Sequence, residues 1–355
     1  MNRPFIAFHF GLVQDVAVLR PLVRLAAEMP SHDVHLLVAD TFAGLDPDGR
    51  WMAEISRVAS TLGIEPLVYE SSFDVLRHVG SGSGIIVAGS ESNVRAHSKA
   101  HELFQSMPGR IRTITLQHGF ECVGFLHNKR HDATAGRDVK FAADIVVGWF
   151  DRDQLHAVSA SERSKIFVAG PPSLVDKPTR AKAKTGIPRG LICENLHSVR
   201  FVNGRLRESF IEAFLSFAGR LAMIGEGIAL RPHPAGQFTK RTGLALPDNV
   251  EVSEAPIYAL DLTSFSYVIS APSTILFDFA VAGVPAATWV DPDGMVDSSN
   301  YEGLAQVASV DDWWRFHWAA RWSRQALLDQ QQAYLAGLKM PKDIRGRYRQ
   351  LLAVA

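Results

Sequence analysis

Two stretches of this chain combine residue types that could hold an anion. In Gly227-Ile-Ala-Leu-Arg-Pro-His-Pro-Ala-Gly236 a short apolar run delivers a guanidinium, Arg231, and an imidazole, His233, into a turn stiffened by proline on both sides of the histidine. In Tyr267-Val-Ile-Ser-Ala-Pro-Ser-Thr-Ile-Leu-Phe-Asp-Phe-Ala280 a strand, a tight turn and a helix follow one another, and the helix opens on Ser273 and Thr274. A helix start presents N–H groups without intrahelical partners, which favours negative charge. The carboxyl ends of strands are also where open α/β sheets bind ligands. Two donor-rich loops at such ends imply a phosphate-bearing ligand.

The elements that would position these loops alternate between short apolar runs and helical periods. Strands are expected at Phe5 to Phe8, Val34 to Val38, Pro66 to Tyr69, Ile85 to Ala88, Arg112 to Leu116, Ile145 to Trp149 and Ile166 to Ala169. Helices are expected at 16–28, 52–62, 73–79 and 93–107. Such alternation implies parallel sheets covered on both faces. The pattern lapses between Pro171 and Gly190 into proline pairs and a basic run, read as an exposed linker. A second series begins at Leu191, with a helix over 206–223, the strand ending at Arg231, Val250 to Val252, Val268-Ile269, a helix from Thr274 to Ala282, and Pro285 to Trp289. The expected organisation is an N-terminal Rossmann-like domain over 1–172, a linker over 173–190, a second such domain over 191–320, and helices over 321–355 that pack back toward the first.

Composition narrows the function classes. The 355 residues carry Lys+Arg 37 against Asp+Glu 37, a formal charge of zero, with 47% hydrophobic residues. That balance argues against a nucleic-acid partner held by bulk electrostatics. Cys122 and Cys193 stand far apart, without a disulfide framework, which fits a reducing compartment. The apolar opening Pro4-Phe-Ile-Ala-Phe8 reads as a strand and no run is long enough to span a bilayer. The expected location is cytoplasmic, with attachment to the inner membrane surface left open.

Three short motifs in order resemble the GT-B glycosyltransferases, within them the branch of capsule and lipopolysaccharide sugar transferases and CDP-glycerol glycerophosphotransferases. They are Leu116-Gln-His-Gly-Phe120, Arg231-Pro-His-Pro234, and Ser270-Ala-Pro-Ser-Thr-Ile-Leu-Phe-Asp-Phe-Ala280 followed by Gly283-Val-Pro285. The resemblance implies two doubly wound Rossmann-like domains facing a central cleft. It also implies a nucleotide-activated donor, CMP/CDP- or UDP-linked, whose diphosphate meets Arg231, His233, Ser273 and Thr274. Where the glycerophosphotransferases carry a Pro-Thr-x-Arg-like turn, this chain has Glu194-Asn-Leu-His-Ser-Val-Arg200, a departure that favours a sugar over glycerol phosphate.

His118, with an ordinary pKa near working pH, is the leading candidate for the base that deprotonates an acceptor hydroxyl, flanked by Gln117 and Gly119 as supporting neighbours. A hydrogen bond to a neighbouring loop is its plainer role. Glu121 competes as base or orients His118, and Asp15, in Gly11-Leu-Val-Gln-Asp15, is an alternative base or a cap on the helix that follows. Ser273 and Thr274 have a plain reading as a helix cap. Asp278, one turn beyond Thr274, orients Ser273 or Arg231, or forms a helix ion pair. Asp151-Arg-Asp153 and Asp291-Pro-Asp293 spell a spacing that can bind a divalent metal, but a helix start and a Pro-Asp-Gly turn explain them, and no metal or cofactor is expected. Trp314, Trp318 and Trp322 share one helical face beside Arg315, Arg321 and Arg324. They form either a membrane-surface stripe or, preferred, a packed seam where the last helices return to the N-terminal domain.

The expected function is metal-independent transfer of a sugar from a nucleotide donor to a hydroxyl of a bacterial surface polysaccharide or lipid-linked glycan precursor. Alternatives are polyol-phosphate transfer from a CDP donor, a non-hydrolysing nucleotide-sugar epimerase, and a non-catalytic glycan-binding scaffold.

Overall fold

The computed structural model describes residues 3–176, 189–195, 200–202, 205–207, 209–233 and 238–354. Most of the expected linker, residues 196–199 of the Glu194–Arg200 segment, and Pro234-Ala-Gly236 of the first candidate anion-binding stretch lie outside them. The chain divides into two compact units: Met1–His127, His131–Lys177 and Lys339–Ala355 form one, Asn128–Arg130 and Pro178–Leu338 the other.

The N-terminal unit holds β1 (Phe5–Phe10), β2 (Asp33–Ala39), β3 (Leu67–Tyr69), β4 (Gly84–Ala88), β5 (Ile111–Leu116), β6 (Ile145–Gly148) and β7 (Ile166–Val168), all paired in parallel in the order β3-β2-β1-β4-β5-β6-β7. The C-terminal unit holds β8 (Gly190–Cys193), β9 (Arg200–Val202), β10 (Arg205–Arg207), β11 (Ile228–Arg231), β12 (Val250–Val252), β13 (Tyr267–Ser270), β14 (Ala286–Trp289) and β15 (Ala305–Val307). Six of these form a second parallel sheet, β12-β11-β8-β13-β14-β15. The helices in chain order are α1 (Val13–Ala27), α2 (Phe42–Leu45), α3 (Arg50–Leu62), α4 (Ser72–Val79), α5 (Ser98–Gln105), α6 (Lys129–Ala135), α7 (Ser209–Met223), α8 (Phe238–Thr242), α9 (Thr274–Val281), α10 (Val310–Trp322), α11 (Arg324–Gly337) and α12 (Ile344–Leu352).

Strands such as Phe5–Phe10 and Gly84–Ala88 are buried at every position, as expected where helices cover both faces of a sheet. In each sheet the strand order reverses once, between β1 and β4 and between β8 and β13. Crevices at those reversals are the ligand sites of doubly wound folds.

Several elements differ from the sequence reading, α11 described below among them. Arg205–Arg207 is not the start of a helix but pairs antiparallel with Arg200–Val202, and the Asn203-Gly204 dipeptide between them is the strongest short-range sequence signal for that pairing. The aromatic helix α10 belongs to the C-terminal unit's own core instead of forming a seam with the N-terminal domain. Trp313 is fully buried there, edge-on to Phe210 at 5.2 Å and Phe217 at 5.7 Å. Trp322 is 72% exposed. Arg321 lies over the Trp318 and Trp322 rings and pairs with Glu226, while Arg324 donates to the Ser266 and Gly283 carbonyls. These arginines are engaged within the protein.

The helix that does join the N-terminal unit is α12. Tyr348, Leu351 and Leu352 enter its core, the Tyr348 hydroxyl donates to the Gly170 carbonyl at 2.8 Å, and Arg345 and Arg349 pair with Glu28. α11 stays with the C-terminal unit, where buried Gln331 accepts from Ala286 N and donates to the Ala280 and Val284 carbonyls.

Candidate functional site

In the N-terminal unit, register sets three strand ends side by side: His9 is level with Ala88, and Ala88 with Thr115. Two residues past that row come Gly11, Ser90 and Gln117. Asp15 folds back from the first turn of α1 into this edge and is completely buried. Its Oδ2 accepts from Gly11 N at 2.9 Å and Leu12 N at 2.7 Å, and its Oδ1 accepts from Ser90 Oγ at 3.0 Å. Ser90 Oγ is in turn 3.0 Å from His118 Nδ1. The sequence candidates Asp15 and His118 are thus joined through one hydroxyl across the β1/β4 reversal.

The two backbone bonds make Asp15 the third helical residue whose carboxyl reaches back to the N–H of the N-cap, Leu12, and of Gly11 before it. Here burial outweighs the hydrogen bonds from Leu12, Gly11 and Ser90, and raises the Asp15 pKa to about 7. Gly89 is what allows the approach, since a Cβ there would lie 2.5 Å from Asp15 Oδ1.

Burial moves His118 the other way, to about 3, helped by the neighbouring imidazoles of His97 and His131. The His97 ring stands edge-on at 5.8 Å and Cys122 Sγ lies 3.2 Å from His118 Nδ1. His118 is therefore a neutral imidazole at neutral pH, and it keeps part of its surface exposed. Gln117 braces the loop: it accepts from Trp149 N at 2.9 Å and donates to the carbonyls of Gly119 and Phe120 at 3.2 and 3.0 Å. Glu121 lies partly exposed on the same loop. His9 and Glu91, nearby titratable groups, serve the scaffold: His9 Nε2 meets the Tyr69 hydroxyl at 2.7 Å, and Glu91 accepts from Ala142 N and Ala143 N and pairs with His101.

In the C-terminal unit, Arg231 and Ser270 are both level with Cys193, on the strands flanking β8. The two stretches that the sequence offers as candidates for anion binding therefore share one sheet edge, two strand spacings or about 10 Å apart. Arg231 is 8% exposed. His233 lies close enough that burial and the Arg231 cation lower its pKa to about 4, so Arg231 supplies the positive charge and His233 a neutral ring. Ser273 sits at the cap of α9 with extended backbone, φ −165°, and its side chain makes no cap hydrogen bond. Thr274 and Asp278, both partly exposed, lie one turn apart on that helix.

Asn195 holds this edge together by donating to the Ala271 and Pro272 carbonyls at 3.0 and 2.6 Å. Glu194, fully buried, accepts from Phe238 N and from Thr239 N and Oγ1, anchoring the start of α8. Sequence reasoning singled out neither residue for a role; their position directly after β8 was the available signal. Of the Asp-x-Asp pairs, Asp291 accepts from the backbone N–H groups of Asp293, Met295 and Val296, which is turn chemistry. Asp151 is the N-cap of a single 3₁₀ turn, Arg152–Gln154, and Asp153 lies within it. Among the described residues there is no cluster of three metal-ligating side chains, and no helix is long and apolar enough to cross a membrane.

Two parallel Rossmann-like sheets with these strand orders define the GT-B fold. Neither a protein-family model nor a curated protein sequence matches the chain. Among solved structures, it is similar to the glycotransferase of kitacinnamycin, at 14% identity and TM-score 0.60 over 100% of this chain and 99% of that one. It is also similar to the glycosyltransferase SnogD from Streptomyces nogalater (13%, TM-score 0.56, 100% of both chains). A third is the UDP-GlcNAc 2-epimerase from Neisseria meningitidis bound to UDP-GlcNAc (10%, TM-score 0.54, 98% of both chains). At these identities the likeness is one of fold.

Proposed function

We propose that this chain is a nucleotide-sugar-dependent glycosyltransferase. The C-terminal unit holds the donor's phosphates between Arg231 and the start of α9, with His233 as a neutral hydrogen-bonding partner. The N-terminal unit receives the acceptor hydroxyl at His118. The observation that carries the reading is the pairing of buried Arg231 with a helix start whose Ser273 leaves the cap to other acceptors, both on one sheet edge. Fixed donors of this kind stabilise charge that develops on a departing phosphate, each by about 3 kcal/mol, and need no metal ion. The motif resemblance to the capsule and lipopolysaccharide branch supports a CMP/CDP- or UDP-linked donor and a surface-glycan acceptor at the cytoplasmic face of the membrane.

A second reading, nucleotide-sugar epimerisation, is favoured by the fold likeness to an epimerase bound to UDP-GlcNAc. A thermal-shift panel of CMP, CDP, UDP, GDP and ADP tests nucleotide binding, because a ligand of the folded state raises the melting temperature. No shift with any of them removes the proposal. Product analysis with and without a glycan acceptor separates the two reactions: sugar isomerised without acceptor is epimerisation, and nucleotide released only with acceptor is transfer.

A further inference from the structure

We propose that Ser90 is the central link of a proton relay, through which a proton taken up at His118 Nε2 comes to rest on the buried Asp15 carboxylate. The inference deepens the transferase reading, and relies on it only for the source of the proton.

One hydroxyl proton stands between two contacts. Ser90 Oγ lies 3.0 Å from Asp15 Oδ1 and 3.0 Å from His118 Nδ1. With Asp15 ionised, the charge-assisted bond takes the serine proton. The second contact is then an N–H donated by His118 Nδ1 to Ser90 Oγ, which leaves Nε2 unprotonated. With Asp15 protonated, every bond reverses: Asp15 donates to Ser90, Ser90 donates to His118 Nδ1, and Nε2 carries the hydrogen. The two arrangements differ by one proton, which enters or leaves at Nε2.

In transfer, the acceptor O–H bond breaks as an Nε2–H bond forms, and the freed oxygen electron pair bonds to the sugar carbon while the bond to the donor phosphate breaks. Nδ1 passes its proton to Ser90 Oγ, and Ser90 passes its own to Asp15 Oδ1. The imidazole ends neutral, as it began, and the carboxylate ends as the acid.

The surroundings favour this division of labour. His118 faces the imidazoles of His97 and His131 and the thiol of Cys122, none of which would stabilise an imidazolium. Asp15 meets the Gly11 and Leu12 N–H groups of its own turn and the Ser90 hydroxyl, lies against Gly89 beyond β4, and acts on the Cys122 thiol through its charge alone. An imidazole that gains its proton only near pH 3 is a poor store for it, and an acid that titrates near pH 7 is a good one.

The test is ¹⁵N-histidine NMR on the ligand-free protein between pH 5.5 and 8.5. His118 is expected to remain neutral throughout and to switch from the Nδ1–H to the Nε2–H tautomer as pH falls through about 7. Ser90→Ala should abolish the switch and Ser90→Thr should retain it. Asp15→Asn, whose amide can donate to Ser90, should hold His118 as Nε2–H at every pH, and it carries the test if Ser90→Ala does not fold. An imidazolium forming near the ordinary histidine range, or a switch that survives Ser90→Ala, overturns the relay. The nucleotide thermal-shift panel reports on the C-terminal unit separately. A protein that binds no nucleotide yet shows the tautomer switch loses the transferase reading and keeps the relay, and the converse result does the opposite.

Discussion

Asp15→Asn should make the protein more stable at pH 8 than wild type, and the gain should vanish toward pH 4. The Asp15 carboxyl ionises near 3.8 when unfolded and near 7 when folded. Between those values the unfolded chain has released a proton that the native state still holds, so wild-type stability falls as pH rises through this window. The shift of roughly 3 units corresponds to about 4 kcal/mol, fully expressed above pH 7. Asparagine has no such ionisation, and its amide reproduces the protonated arrangement: Oδ1 accepts from Gly11 and Leu12, and Nδ2 donates to Ser90. Urea unfolding of both proteins at pH 5 and pH 8 should show the difference between them growing by about 3 kcal/mol in favour of the variant. The same substitution should abolish transfer, because the final proton acceptor is gone. A stability difference independent of pH would show that Asp15 is ionised in the native state at pH 5, and the burial argument would fail.

Other substitutions probe the remaining parts. Gly89→Ala places a Cβ against Asp15 Oδ1 and should cost about 2 kcal/mol with loss of transfer, measured by denaturant midpoint and turnover. Arg231→Ala should weaken transfer by about 3 kcal/mol, a hundredfold or more, and remove any thermal shift by a nucleoside diphosphate, while leaving the His118 NMR signals unchanged. Trp313→Ala empties a site fully enclosed by the C-terminal core and should cost about 3 to 5 kcal/mol. Hydrogen exchange should show that loss across β8, β11 and β13 and spare β1, β4 and β5.

The doubly wound architecture was legible because strands buried on both faces are continuous apolar runs, and Ile85-Ile-Val-Ala88 cannot be read otherwise in a chain of this helical punctuation. Arg231, Ser273, His118 and Asp15 were visible as chemistry-bearing residues at strand ends. Ser90 was not, because Gly89-Ser-Glu-Ser92 reads as an ordinary turn. Only the parallel register of β1, β4 and β5 brings its hydroxyl between two groups far apart in sequence. The direction of the pKa shifts was equally hidden: His118 was judged by its unperturbed value, and burial is a property of the fold. The destination of α10 was not legible because the face that is buried runs through Trp313, Phe316, His317 and Ala320, beside the Trp314-Trp318-Trp322 row, and aromatic spacing does not say which neighbour covers a helix.

The placement of α12 allows the usual order of maturation to be reversed. Domains generally fold as units in the order the ribosome delivers them. Here the sheet that begins at Phe5 lacks Tyr348, Leu351 and Leu352 until everything up to Leu338 has already been made. The later-encoded unit can close its interior first, while the earlier one waits with part of its apolar surface uncovered. Nascent chains halted before residue 344 should consequently engage chaperones through the half of the protein that was translated first.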